Sequence, residues 1–314
     1  MASDWLCTLA EVQREIKDRN GSDQFDNNWI IDNIPLVSAR INVKSRLRFV
    51  PYYEEYVYDA FGPHIDDTYR KIDIARPLLY PTQVINALKA TLVLGVDYTT
   101  IPQDGPAFQL QMINNTFYGW SYGFGWGSWL YLAPIQWLRA IKVTGIWGYR
   151  TFYPQEGWVG SGVTITSDID DHQRSFTVSN VSGYDDNAQS PAISVGNVIQ
   201  VGDNTTAQAW EWMQVVAVTN NGIPANDTVT VVRGLNGSTR QAWTATTPVS
   251  TWSVQPEIKR AAVRWCGYWY SRRGAYEAVK SDFASGKTLV YPSDAPSEID
   301  NIIDQTSDWR WGTA

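Results

Sequence analysis

The sequence predicts an α+β fold: a helical bundle with a small antiparallel sheet, carrying an inserted all-β barrel or sandwich domain. Helical amphipathic patterns stand at both ends of the 314-residue chain. Short segments rich in β-branched and aromatic residues, broken by Pro and Gly, fill Arg46 to Tyr149. Between Trp158 and Trp252 charge thins out, and Thr, Val, Ser, Asn and Gly dominate around regularly spaced turn clusters. The expected division is a core domain from residues 1–155 and 253–314, with a tail at 293–314, and an inserted β domain at 156–252.

Thr8 followed by Glu11 has capping-box spacing, so a first helix is expected from Leu9 to Arg19, closed by Asn20-Gly21. Ser22 or Asp23 can cap a second, with Phe25, Trp29, Ile30, Ile34, Val37 and Ile41 on one face. Pro35 predicts a kink or break there. The segments LRFVPYY, RKIDIARPLLY, TLVLGVDYTTIP, FQLQMI and LRAIKVTGIWGY read as short strands, kept short or at edges by Pro51, Pro77, Pro81, Pro102 and Pro106. In the inserted domain, strands are expected at Val163–Thr166, Phe176–Val178, Val198–Val201, Trp210–Val218 and Thr228–Val232. The late helix opens on Pro256, and Ile258, Ala261, Ala262, Trp265 and Trp269 share its apolar face. Lys259, Arg260, Arg264 and Arg272 fall mostly on the other side, with Gly274 as a stop or kink. Its natural partner is the N-terminal helical pair. A short capped helix bearing Ile299, Ile302 and Ile303 follows.

Composition limits the function. A net charge of −7 argues against a binder that neutralises nucleic-acid phosphates, though an acidic wall suits a polyanion sliding past. Cys7 and Cys266 are too few for a disulfide framework or a cysteine metal site; they could meet if the terminal helices pack together, but two buried free thiols are the preferred reading. No leader pattern or long apolar run is seen, so a soluble chain without a membrane partner is expected. Sixteen Trp and 17 Tyr supply interface or ring-binding area, or simply fill β cores.

Recognisable chemistry is scarce. His64 and His172 lack zinc spacing, and the knot Asp168, Asp170, Asp171, His172 lacks the order of a calcium loop, so it reads as a solvated turn. Glu54 and Glu55, or Asp66 and Asp67, are adjacent and point apart. No nucleotide or nucleophile-elbow motif occurs, so no catalytic residue, metal or cofactor is expected. The loop around Trp120, Tyr122, Phe124 and Trp126, spaced by glycines, reads as a sugar platform, a contact loop for a neighbouring subunit, or a tip folded on its own domain.

Taken together, the N-terminal helical pair, the β segment closing on Val143-Thr144-Gly145-Ile146-Trp147-Gly148-Tyr149, and a late helix with Pro256, Glu257, Ile258, Lys259, Ala261, Ala262 and Arg272-Arg273-Gly274 resemble the head–tail connector (adaptor) proteins of tailed bacteriophages. The inserted part is similar to a β module of phage structural proteins through Gly196-Asn197-Val198-Ile199, Met213-Gln214-Val215 and Arg233-Gly234-Leu235-Asn236-Gly237-Ser238. Asn replaces an Asp there, Ser a Thr, and Trp243 stands near a usual His. The resemblance implies a non-enzymatic homo-oligomeric ring, usually a dodecamer, in the virion neck and made in the host cytoplasm. Its partners would be the portal protein and tail or stopper proteins, with DNA passing through unbound. It marks Lys259, Arg260, Arg264, Arg272, Arg273, Ile299, Ile302, Ile303, Trp309, Arg310 and Trp311 as candidate portal or subunit contacts. Another neck, tail or baseplate subunit, or a carbohydrate-binding protein, remains an alternative.

Overall fold

The computed structural model describes residues 4–21, 23–59, 64–65, 70–103, 105–113, 139–153, 157–202, 209–222, 226–281 and 296–307, with backbone alone at 20, 274–281 and 307. The chain is mostly β, 36% strand against 26% helix, in two six-stranded antiparallel sheets and four helices among the described residues. This corrects the expected helical bundle with a small sheet. The expectation underestimated the strands because it let proline end them. In fact β2 (Lys71–Ile85) runs through Pro77 and Pro81, with register shifts between Asp73 and Leu78, Leu78 and Tyr80, and Pro81 and Gln83. Bulges of this kind accommodate residues that cannot donate to the ladder.

Two compact units divide the chain: Met1–Val50, Trp158–Leu235 and Thr239–Ala314 form one, Pro51–Gly157 with Asn236–Ser238 the other. The terminal helices therefore group with the second sheet, whereas the expected boundaries joined them to the first.

In the smaller unit the sheet order is β1 (Tyr52–Tyr58), β6 (Ile141–Trp147), β2, β5 (Ala107–Met112) and β4 (Tyr98–Ile101), with β3 (Thr91–Leu92) beside β2. Ile72, Leu78, Val84, Leu110, Ile141, Val143 and Trp147 make its core. Trp147, fully buried, donates its indole N–H to the Glu54 carbonyl at 2.9 Å and meets Tyr56 edge-on. A Cβ on Gly145 would lie 2.5 Å from the Tyr80 carbonyl oxygen and 2.8 Å from Leu78, so the bulged β2 passes β6 where only glycine fits.

In the larger unit the second sheet runs β7 (Trp158–Thr164), β12 (Pro248–Trp252), β9 (Val198–Gly202), β10 (Trp210–Thr219), β11 (Asp227–Arg233) and β8 (Ser175–Val178). Its outer strands meet: Ile165 bridges Val178, Thr166 N–H donates to Thr177 O at 3.1 Å, and Ser179 N–H to Thr164 O at 2.9 Å. The sheet thus closes into a barrel and leaves no long free edge. Phe176, Ile199, Val201, Met213, Val215, Val229 and Val231 fill the interior. On the alternate face of β10, Trp210 stacks on Trp212 at 4.3 Å, and Trp158 links Trp212 to Trp252.

Four helices complete this unit among the described residues. Thr8 and Glu11 form the capping box of α1 (Leu9–Asn20), and Gly21 closes it at φ 65°. Asp26 caps α2 (Asn27–Ser45), which continues through Pro35 instead of breaking. An interior proline costs about 3 kcal/mol, and burial of Ile30, Ile34, Val37 and Ile41 at about 1.5–3 kcal/mol each offsets it. α3 (Pro256–Ser281) starts at Pro256 as expected but runs past Gly274, and α4 (Ser297–Ser307) follows. The Trp252 indole donates to the Phe49 carbonyl at 2.9 Å, and Leu9 N–H to the Val195 carbonyl at 3.0 Å. No helix among the described residues is long and apolar enough to cross a membrane.

Gly145→Ala is expected to lower stability by about 1–3 kcal/mol through overpacking. Urea unfolding followed by tryptophan fluorescence checks it; an unchanged midpoint would show that β2 yields freely.

Candidate functional site

The sequence singles out α3, and its environment is built from both chain ends. Ile258, Ala261 and Ala262 are fully buried and Trp265 nearly so, against Val12 and Ile16 of α1 and the apolar stripe of α2. A Cβ on Gly267 would stand 3.0 Å from Glu15 Cγ. Tyr270 accepts the Asp26 amide at 3.0 Å and takes Trp29 on its ring. Trp269, half-buried, lies under the Arg40 guanidinium at 4.9 Å.

The basic residues of α3 are largely engaged within the chain. Lys259 pairs with Glu11 at 3.0 Å, so one carboxylate serves both the α1 cap and α3. Arg264 pairs with Glu298 of α4. Arg273 reaches Asp26 at 3.4 Å and stacks on Tyr270, while Arg272 stacks on Tyr268 at 4.5 Å. Arg260 is exposed. Of the α4 candidates, Ile299 and Ile303 are buried in the chain's own helical layer and Ile302 is half-buried. Lys44 of α2 adds an ion pair to Asp300 at 2.5 Å. The basic face thus ties α3 to its neighbours more than it forms an open patch. Trp309, Arg310 and Trp311, and the loop residues Trp120, Tyr122, Phe124 and Trp126, lie outside the described residues.

The buried ionic node of the barrel is the feature sequence reading missed. Glu211 and Arg233 are 0% and 1% exposed, joined in a fork at 2.6 and 3.0 Å. All five guanidinium N–H groups are used: three go to the carbonyls of Asp170, Gln173 and Gln241, two to Glu211. Glu211 also accepts the amides of Gly234 and Gln241 and the Trp243 indole, each at 3.1 Å. The signal was present: one carboxylate inside Trp-Glu-Trp-Met and one guanidinium ending Val-Thr-Val-Val-Arg. With every donor and acceptor occupied, the node fixes loops rather than moving protons.

Other titratable groups are similarly committed. Asp170 accepts the amides of His172 and Gln173 at 2.8 and 2.6 Å, which holds its carboxyl below the usual range, and Asp168 accepts the Ala245 amide at 2.7 Å. Asp170, Asp171 and His172 are exposed and work as a loop clasp. Glu54 accepts the Tyr56 hydroxyl while Glu55 pairs with Lys142, on opposite strand faces. Burial pushes the Tyr58 phenol up to about 12.

Arg233→Met is expected to cost about 3–5 kcal/mol, because it strands a buried carboxylate, whereas Arg264→Ala at the surface costs at most about 1 kcal/mol. Thermal unfolding of both variants distinguishes them; equal shifts would contradict the burial argument. No protein-family model matches the chain, and no curated protein sequence does so.

Proposed function

We propose that the chain is the adaptor subunit of a phage head–tail connector. It is a virion structural protein with no reaction to catalyse, whose copies close a ring between the portal and the tail or neck. The ring leaves a channel for the genome and offers the tail a docking site, and it resides in the phage neck after synthesis in the host cytoplasm.

One observation carries the oligomeric part. In the turns of the first sheet, Leu88, Val93 and Val96 are more than half exposed, and Leu94 and Ile113 are exposed at 39% and 36%. The backbone there is held firmly: Asp97 accepts the Val93 amide at 2.8 Å through its carboxylate and the Ile113 amide at 2.9 Å through its carbonyl. Exposed apolar side chains on firmly held turns favour cover by another chain. A closed ring needs two different complementary patches per subunit, and these turns supply one. The motif that carries the family resemblance has a structural basis in the same sheet, through Gly145 and Trp147. The net charge of −7 suits a channel to which DNA does not adhere.

A second reading, another neck, tail or baseplate subunit, draws on the closed barrel, which such a subunit could use alone.

Negative-stain imaging of the purified chain, alone and mixed with purified portal, tests the proposal. Twelvefold rings are expected in at least the mixture, and Val96→Asp abolishes them while leaving circular dichroism unchanged. Particles that stay monomeric in both samples would overturn it.

A further inference from the structure

α2 is apolar on two opposite sides. Ile30, Ile34, Val37 and Ile41 are buried within the chain. On the other side Leu36 and Val43 are 55% and 78% exposed, and Ala39 between them is exposed as well. Residues 36, 39 and 43 follow the three- and four-residue spacing of a single stripe, about 10 Å long. Its borders are cationic. Arg40 lies beside the stripe with its guanidinium over Trp269 at 4.9 Å, and exposed Arg46 closes the helix, its amide donating to the Val43 carbonyl. Neither arginine pairs with a carboxylate among the described residues. The single carboxylate of α2 is Asp32, one turn before Leu36.

The turn between β3 and β4 has the opposite character. It carries exposed Val93, Leu94 and Val96 together with Asp97, and it is tied to exposed Ile113 through the Asp97 carbonyl. The Asp97 carboxylate, which accepts the Val93 amide at 2.8 Å, is the only charged group from Thr91 to Ile101.

We propose that the outward stripe of α2 is the second patch of the ring and that its occupant is another copy of this chain. Leu36, Ala39 and Val43 of one copy receive Val93, Leu94 and Val96 of the next, with Asp97 of the entering turn against the Arg40 and Arg46 guanidiniums. The inference rests on the ring reading and names the two surfaces that close it. Aliphatic burial supplies the attraction, and opposite charge decides which patch meets which. Stripe on stripe would oppose arginines, and turn on turn would oppose two Asp97 carboxylates. Because the two surfaces differ, the contact is heterologous and repeats around an axis instead of stopping at a dimer.

The test places thiols in both patches of the full chain. Val43→Cys and Val96→Cys alter exposed positions, circular dichroism confirms the fold, and the wild-type chain, whose Cys7 and Cys266 are buried, serves as the blank. Rings assembled on the portal are treated with a short bis-maleimide and resolved in denaturant, with linked products identified by mass. The double variant should give a ladder of joined copies. A mixture of the two single variants should give dimers and nothing larger, and each single variant alone only monomers. Val43→Asp should abolish the rings, while Val232→Asp, on the barrel's own exposed aliphatic pair with Val216, should leave them intact. Rings of the double variant without a ladder, dimers from one single variant alone, or rings that survive Val43→Asp but not Val232→Asp would overturn the inference and leave the ring reading standing. A wild-type chain that forms no ring would overturn both.

Discussion

The apolar seam between α3 and the N-terminal helices is the interaction on which the larger unit depends. α3 packs on α1 and α2, and Ile258, Ala261, Ala262 and Trp265 on one side and Val12, Ile16, Ile30, Ile34, Val37 and Ile41 on the other are all buried. An isolated helix as short as α1 is marginal in water, and in all three most of the helical stability comes from burying these faces. The polar groups around the seam follow from it. Glu11 completes the α1 cap and pairs with Lys259, and Tyr270 accepts the Asp26 amide. Because the partners come from opposite ends of the sequence, everything between them must begin and end near one place.

The barrel satisfies that constraint with a different device. Closure through Ile165 and Val178 removes the strand edges. The Glu211–Arg233 node then ties the loop at Asp170 and Gln173 to the segment from Gly234 to Trp243. A buried ion pair repays its desolvation only when its remaining hydrogen-bonding capacity is filled, and here it is. Its value is in specifying one arrangement of loops. The Arg233 guanidinium, the Gly234 amide and the Trp243 indole N–H all converge on that carboxylate.

Much of the local structure was legible because its causes are local. The Thr8/Glu11 cap, Pro256 at the first turn of α3 and the β-branched runs of the barrel each announce themselves within a few residues. The fold class was not, because the bulges that let β2 pass Pro77 and Pro81 depend on what β5 and β6 do alongside. Pro35 does not break α2, and the burial that sustains the helix across it comes from distant chain. β12 was overlooked because Pro-Val-Ser-Thr-Trp has little hydrophobic period of its own. At the candidate site, the charges of α3 were visible but their partners were not: Glu11, Asp26 and Glu298 are far away in sequence, so a basic face that looked outward is mostly paired inward.

The central claim is that the chain's two ends fold as one cooperative layer. Native-state hydrogen exchange on Ile16→Ala tests it most directly, by asking whether damage in α1 is felt in α3. Amides of α3 around Ala262 to Cys266 should lose protection by the same free energy as those of α1, about 2–4 kcal/mol. Protection falling in α1 while α3 keeps its wild-type value would contradict it.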